Sequence, residues 1–98
     1  MTNDAYNPAE EKLVAAVAYE LGPTALEEAW ANYGADAIHF DEDGNAWLHI
    51  RPGRWASVDD ERGVVLIDHR GDVRRAVVVH DRAIVVADAV PLTAPANN

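Results

Sequence analysis

The spacing of apolar residues changes once along this chain, near Asp36, and that change limits the folds available to it. Before Asp36, Leu13, Val17 and Leu21 recur at the three- and four-residue spacing of an amphipathic helix. After it, apolar and polar residues alternate, first in residues 38–40, which is typical of a strand with one buried face. The sequence therefore predicts helices followed by a sheet, which is an α+β fold.

Two short helices are expected before the change of spacing. Asn7 can cap the first, with Glu10 at its third position, and Gly22 followed by Pro23 ends it. Residues 24–27 read Thr-Ala-Leu-Glu and predict a capping box for the second helix. Neither helix is long enough to be stable alone, so both are expected to pack on the sheet. The predicted inner face of the second helix consists of Leu26, Ala29, Trp30 and Tyr33.

The first hairpin has a register that the apolar pattern selects. A two-residue loop would pair Ile38 with His49 and mix the faces of the sheet. A three-residue loop, Glu42 to Gly44, pairs Ile38 with Leu48 and places the apolar residues together. The sequence therefore predicts the longer loop, with Gly44 in the left-handed conformation.

Turn sequences divide the remainder of the chain into further strands. The predicted strands are 54–58, 64–69, 73–80 and 83–87. The prediction is an N-terminal αα-hairpin packed on one face of a five- or six-stranded antiparallel β-meander. Residues 1–90 are expected to form this single domain, and 91–98 a disordered tail that is poor in apolar residues.

The charge of the chain is concentrated in its first half. Residues 1–50 contain ten acids and one base, whereas residues 51–98 contain seven acids and seven arginines. Such a field repels phosphates, so neither nucleic acid nor an anionic membrane is expected as a direct ligand. It favours a basic partner, although acidity that serves only solubility or salt adaptation is the alternative.

The acids of the first half suggest a function for the chain. We expect an acidic ridge that engages the basic groove of a nucleic-acid-handling protein and blocks its ligand. This hypothesis is a small inhibitor or decoy of the DNA-mimic type, comparable in size and charge to phage anti-CRISPR and anti-restriction proteins, antitoxins or immunity proteins. The predicted ridge consists of Glu27, Glu28, Asp36, Asp41, Glu42 and Asp43.

The residues needed for catalysis are sparse. The chain has no cysteine, and Ser57, its single serine, has no nucleophile-elbow context. His39 and His49 are expected on one sheet face, but a third metal ligand is not evident. The prediction is therefore a protein that is not an enzyme and has no cofactor or metal; a metal-dependent enzyme using these two histidines is the weakest alternative.

A second apolar sheet face is expected opposite the helices. It would carry Trp47, His49, Val58, Val78 and Val85. One hypothesis is that this face joins two copies or a partner, which would make the chain a dimeric structural or assembly module. The alternative is a sheet that curls and buries the face internally. Trp30 and Trp55 are expected in the core, and Trp55 is expected to face Ile50 if the Pro52-Gly53 turn is tight.

The compartment is expected to be the cytoplasm. The start of the chain lacks the basic and apolar segments of a secretory signal. Every unbroken apolar stretch, such as Ala83 to Ala87, is far shorter than the ~18 residues of a membrane span. The absence of cysteine fits a compartment without disulfides.

Overall fold

The helices and strands follow the predicted order in the computed structural model, which describes residues 7–70 and 73–86. Each strand pairs antiparallel with the next along the chain, in the order β1 to β6. The predicted α+β fold is confirmed, with six strands in the described part of the chain, and the predicted tail, 91–98, lies outside that part. The elements are α1 (Pro8–Glu20), α2 (Pro23–Tyr33), a 3-10 turn (Gly34–Ala37), β1 (Ile38–Phe40), β2 (Ala46–Arg51), β3 (Arg54–Asp59), β4 (Gly63–Arg70), β5 (Val73–His80) and β6 (Ala83–Val86).

The starts of the two helices differ in chemistry. The Asn7 side chain accepts hydrogen bonds from the backbone N–H groups of Ala9 and Glu10, at 2.9 and 3.3 Å, which confirms the predicted cap. The capping box predicted for α2 is wrong, because the helix begins at Pro23 and no side chain caps it. Proline has the helical φ and no N–H to satisfy, so the helix starts one residue before Thr24.

The first hairpin has the predicted register. Ile38 pairs with Leu48 and Phe40 with Ala46. The N–H of Asp41 donates to the carbonyl oxygen of Asn45 at 3.0 Å, which closes the three-residue loop. Gly44 has a φ of +85°, so the predicted left-handed conformation is confirmed.

A bulge in β2 changes the faces of the next strand. The pairing shifts between His49 and Arg51, and Trp55 lies opposite His49. The expectation that Trp55 faces Ile50 is therefore wrong, since one extra residue reverses which side chains share a face. The same shift moves Val58 to the face covered by the helices, where it packs against the core residues beneath them.

The helices cover one face of the sheet and bury the larger of two clusters of core residues there. Ala29 of α2 is fully buried at its centre. Trp30, expected in the core, is 44% exposed, because the buried stripe of α2 follows Ala25, Ala29 and Tyr33 at four-residue spacing. The buried residues of this cluster are Leu13, Val17, Ala29, Ala37, Ala46, Leu48, Ile50, Ala56, Val64 and Leu66.

A second buried cluster lies on the opposite face of the sheet. Trp47, His49 and Val78, predicted as a dimer or partner face, are only 0%, 8% and 2% exposed within one chain. Val85 is the one residue of that predicted set with a largely exposed side chain. Since the bulge turns Trp55 onto this face, two indole rings pack there, and Trp47 is not available to a second copy. The buried members are Trp47, Trp55, Val65, Ile67 and Val78.

Candidate functional site

Three connections lie at the same end of the sheet. In an antiparallel meander every second connection shares an end, which here brings together the loops 41–45, 60–62 and 81–82. Their exposed acids form a surface that we call the acidic end. Its members are Glu42, Asp43, Asp60, Glu61 and Asp81.

Asp41 organises the first of these loops. One carboxylate oxygen accepts the backbone N–H groups of Asp43 and Asn45, each at 2.9 Å. The other accepts the Asn45 side-chain amide at 3.1 Å and the Trp47 indole N–H at 3.0 Å. The side chain of Asp41 is therefore bound within the hairpin, while Glu42 and Asp43 remain exposed.

These hydrogen bonds change the acidity of Asp41. Partial burial raises its pKa, but the bonds from Trp47, Asn45 and the backbone of Asp43 together outweigh burial and lower the pKa below 3.8. The carboxylate is consequently ionised at neutral pH, and its charge is shared with four donors.

Asp59 has the same function in the loop between β3 and β4. Its carboxylate accepts the backbone N–H groups of Glu61 and Arg62, at 2.9 and 3.2 Å. The two acids that follow it, Asp60 and Glu61, are exposed. In both loops, then, the first acid holds the backbone and the next two face solvent.

The first two loops are neighbours in space. Gly44, Asn45 and Asp60 line a common shallow pocket, together with Lys12 from α1. The Lys12 ammonium forms an ion pair with Asp60. Both partners are largely exposed, so the pair contributes little to stability but neutralises part of the charge there.

The predicted ridge is divided between two ends of the first hairpin. Glu42 and Asp43 lie at its tip. Asp36 lies in the turn before β1, and Glu28 pairs with Arg51 at the end of β2, with 3.1 Å between Nε and Oε2. Glu27, like Asp36, is exposed. The structure thus separates Glu28 and Asp36 from the tip. It places the tip beside the loop 60–62, which the count of charges in each half of the chain did not select.

His39 and His49 belong to an aromatic cluster on the second face of the sheet. His39 lies across from Trp47, as predicted, and its ring centroid is 5.9 Å from that of His49. The His49 ring is stacked between Tyr33 and Trp55, at centroid distances of 4.2 and 3.9 Å. Within residues 7–70 and 73–86, no group of three potential ligands is placed to hold a metal ion.

Comparisons with known proteins give no relative from which a function could be carried over. No protein-family model, curated protein or solved structure matches this chain. Of the two helices in the described part of the chain, neither has the length and apolar character needed to cross a bilayer.

Proposed function

We propose that this chain is a small cytoplasmic inhibitor or decoy that binds the basic nucleic-acid-binding groove of another protein. Its acidic end would occupy positions that phosphates otherwise fill, so the mechanism is competitive occlusion. The partner is a basic, nucleic-acid-handling protein, and nucleic acid itself is not bound.

The observation that carries this proposal is the meeting of two acidic loops at one end of the sheet. Each loop presents two exposed carboxylates, and each is held in shape by the acid that precedes them. A rigid display of charge loses less conformational entropy on binding than a flexible acidic tail would lose. The acidic end is thus suited to a preformed basic surface.

The strength of such binding depends on how many contacts form together. A single exposed ion pair contributes only about 0.2–1 kcal/mol. Several pairs in a desolvated groove contribute more, and the long-range field accelerates association. We therefore expect binding that is fast and strongly weakened by salt.

A capture and competition experiment tests the proposal. The immobilised protein is incubated with lysate of its own cells at low salt, and bound proteins are eluted with high salt and identified. A purified candidate is then mixed with labelled duplex DNA or RNA while this protein is added. Loss of nucleic-acid binding in proportion to the added protein supports occlusion; a captured protein that binds both ligands at once contradicts it.

Charge-neutralising variants locate the binding surface. Glu42→Gln with Asp43→Asn, and separately Asp60→Asn with Glu61→Gln, should each weaken binding by about tenfold, mostly through slower association. The matched control, Glu27→Gln with Asp36→Asn, removes the same charge away from the acidic end. Equal losses in all three variants would mean that only total charge matters, and would refute the acidic end as the site.

A further inference from the structure

One buried ring nitrogen on the second sheet face lacks a hydrogen-bond partner. The Nε2 atom of His49 is enclosed and unpaired among the described residues, and the residue is 8% exposed. Unpaired polar atoms are uncommon in protein interiors because their desolvation is not repaid. An explanation is therefore needed for a histidine at this position.

The surroundings of His49 join two parts of the fold. Tyr33, the last residue of α2, lies against one side of the imidazole with an interplanar angle of 11°, and Trp55 of β3 lies against the other at 3°. We call these three rings the aromatic stack. It connects the end of α2, and the 3-10 turn that follows, to the sheet.

We propose that the aromatic stack is a pH-sensitive contact that holds the end of α2 on the sheet and loosens when His49 is protonated. The neutral ring packs between two aromatic faces without a formal charge to solvate. The charged ring would need an acceptor for its second N–H, and the fold provides none at Nε2.

The groups facing His49 do not compensate a positive charge. They are Tyr33 from α2, Trp55 from β3 and His39 from β1, whose ring is edge-on at 5.9 Å. Within residues 7–70 and 73–86, no ion pair joins a carboxylate to this ring. The aromatic faces would attract an imidazolium, but burial and the neighbouring histidine oppose it.

The balance favours the neutral form. Burial, and then the charge of His39, lower the pKa of His49 below 6.5, against a hydrogen bond with the Arg51 backbone that raises it. Because the pKa is lower in the folded state, the contribution to stability is complete above the unfolded value. It decreases as the pH falls below 6.5 toward the folded pKa.

Nuclear magnetic resonance of the intact chain tests the proposal. His49 should titrate with a midpoint below 6.5, and its titration should accompany exposure of the Gly34–Ala37 amides. The opening constant of these amides, corrected for intrinsic exchange, should rise about tenfold between about pH 7.5 and about pH 5. A midpoint at or above 6.5 would overturn the proposal, since it would mean that the aromatic faces stabilise the cation.

Two variants and a control assign the effect to His49. His49→Phe keeps a flat ring in the stack and should abolish most of the pH dependence of opening. His39→Gln leaves His49 in place and should raise its midpoint, which keeps the test valid if the first variant does not fold. His80→Gln, at an exposed turn, should change neither; an unchanged pH profile in His49→Phe or His39→Gln would refute the proposal.

Discussion

Asp41 and Asp43 are chemically identical side chains two residues apart, but only Asp41 is bound by the rest of the hairpin. It accepts four hydrogen bonds, including one from the indole of the buried Trp47. The sequence placed both aspartates on one binding surface. Side-chain identity alone cannot separate them, because the distinction depends on which backbone N–H groups the loop turns toward each carboxylate.

Replacement of Asp41 should therefore affect folding more than binding. In Asp41→Asn, the new amide N–H₂ would oppose the donors of Asn45 and Trp47, and we expect a loss of about 1–3 kcal/mol in the free energy of unfolding. Urea denaturation at neutral pH measures this loss. Asp43→Asn is the matched control and should change stability by less than about 0.5 kcal/mol; equal effects would contradict the assigned hydrogen bonds.

Acid should reproduce part of the same effect. Since the pKa of Asp41 is lowered in the fold, its stabilising contribution is present above 3.8 and decreases as the pH falls through the folded pKa. In Asp41→Asn this component of acid destabilisation should be absent. Unfolding midpoints of both proteins between about pH 5 and about pH 2 provide the comparison, and parallel curves would show that Asp41 is not involved.

Two glycines with positive φ should differ in their tolerance of a side chain. An added Cβ at Gly44 meets nothing within 4 Å, so Gly44→Ala costs only backbone strain, about 1–2 kcal/mol. At Gly53, whose φ is +82°, the Cβ would also clash with the carbonyl oxygen of His69 in β4. Gly53→Ala should be clearly the more destabilising in urea denaturation; a reversed order would mean that the turn relaxes.

At the scale of elements, the turn between β5 and β6 is attached to the end of α1. Asp81 and Arg82 have φ values of +52° and +66°, at positions usually taken by asparagine and glycine. Contacts with α1 offset that strain. The N–H of Arg82 donates to the Glu20 carboxylate at 2.7 Å, and its guanidinium lies 4.6 Å above the ring of Tyr19.

Truncation of Arg82 should weaken this attachment. Arg82→Ala keeps the backbone strain but removes the guanidinium contacts. We expect the free energy of unfolding to fall by about 1–2 kcal/mol and the hydrogen exchange of the β6 amides to become faster. Arg82→Gly removes the contacts and the strain together, so it should be the less destabilising by about 1 kcal/mol. If alanine and glycine have equal effects, the turn is not strained.

The order of the elements and the first register could be predicted from the sequence, because both follow from apolar spacing. The faces of β3 could not. The bulge beside Ile50 is a single extra residue that the alternating pattern does not reveal. It places Trp55 and Val58 each on the face opposite to the predicted one. The pattern also does not show where the buried stripe of α2 ends. Trp30 follows the buried Ala29 by one residue, a rotation of 100° around the helix axis, and it lies outside that stripe.

For the whole molecule, the sequence located the excess charge but not the surface on which it gathers. Charge counting selected the first half of the chain, and so Asp60 and Glu61 were left out. Their position beside the hairpin tip follows from the number of strands between the loops, which determines the end of the sheet to which each connection belongs. The candidate site therefore required the complete strand order.

The sequential strand order also has a kinetic consequence. Because each strand pairs with its neighbour along the chain, the sheet can assemble from hairpins that close short loops, and contact order is low for a structure rich in strands. One closure is much longer, because it seats Glu20 against Arg82, 62 residues away, at the turn between β5 and β6. We expect folding on the order of milliseconds in stopped-flow experiments, with Arg82→Ala accelerating unfolding and leaving the folding rate nearly unchanged.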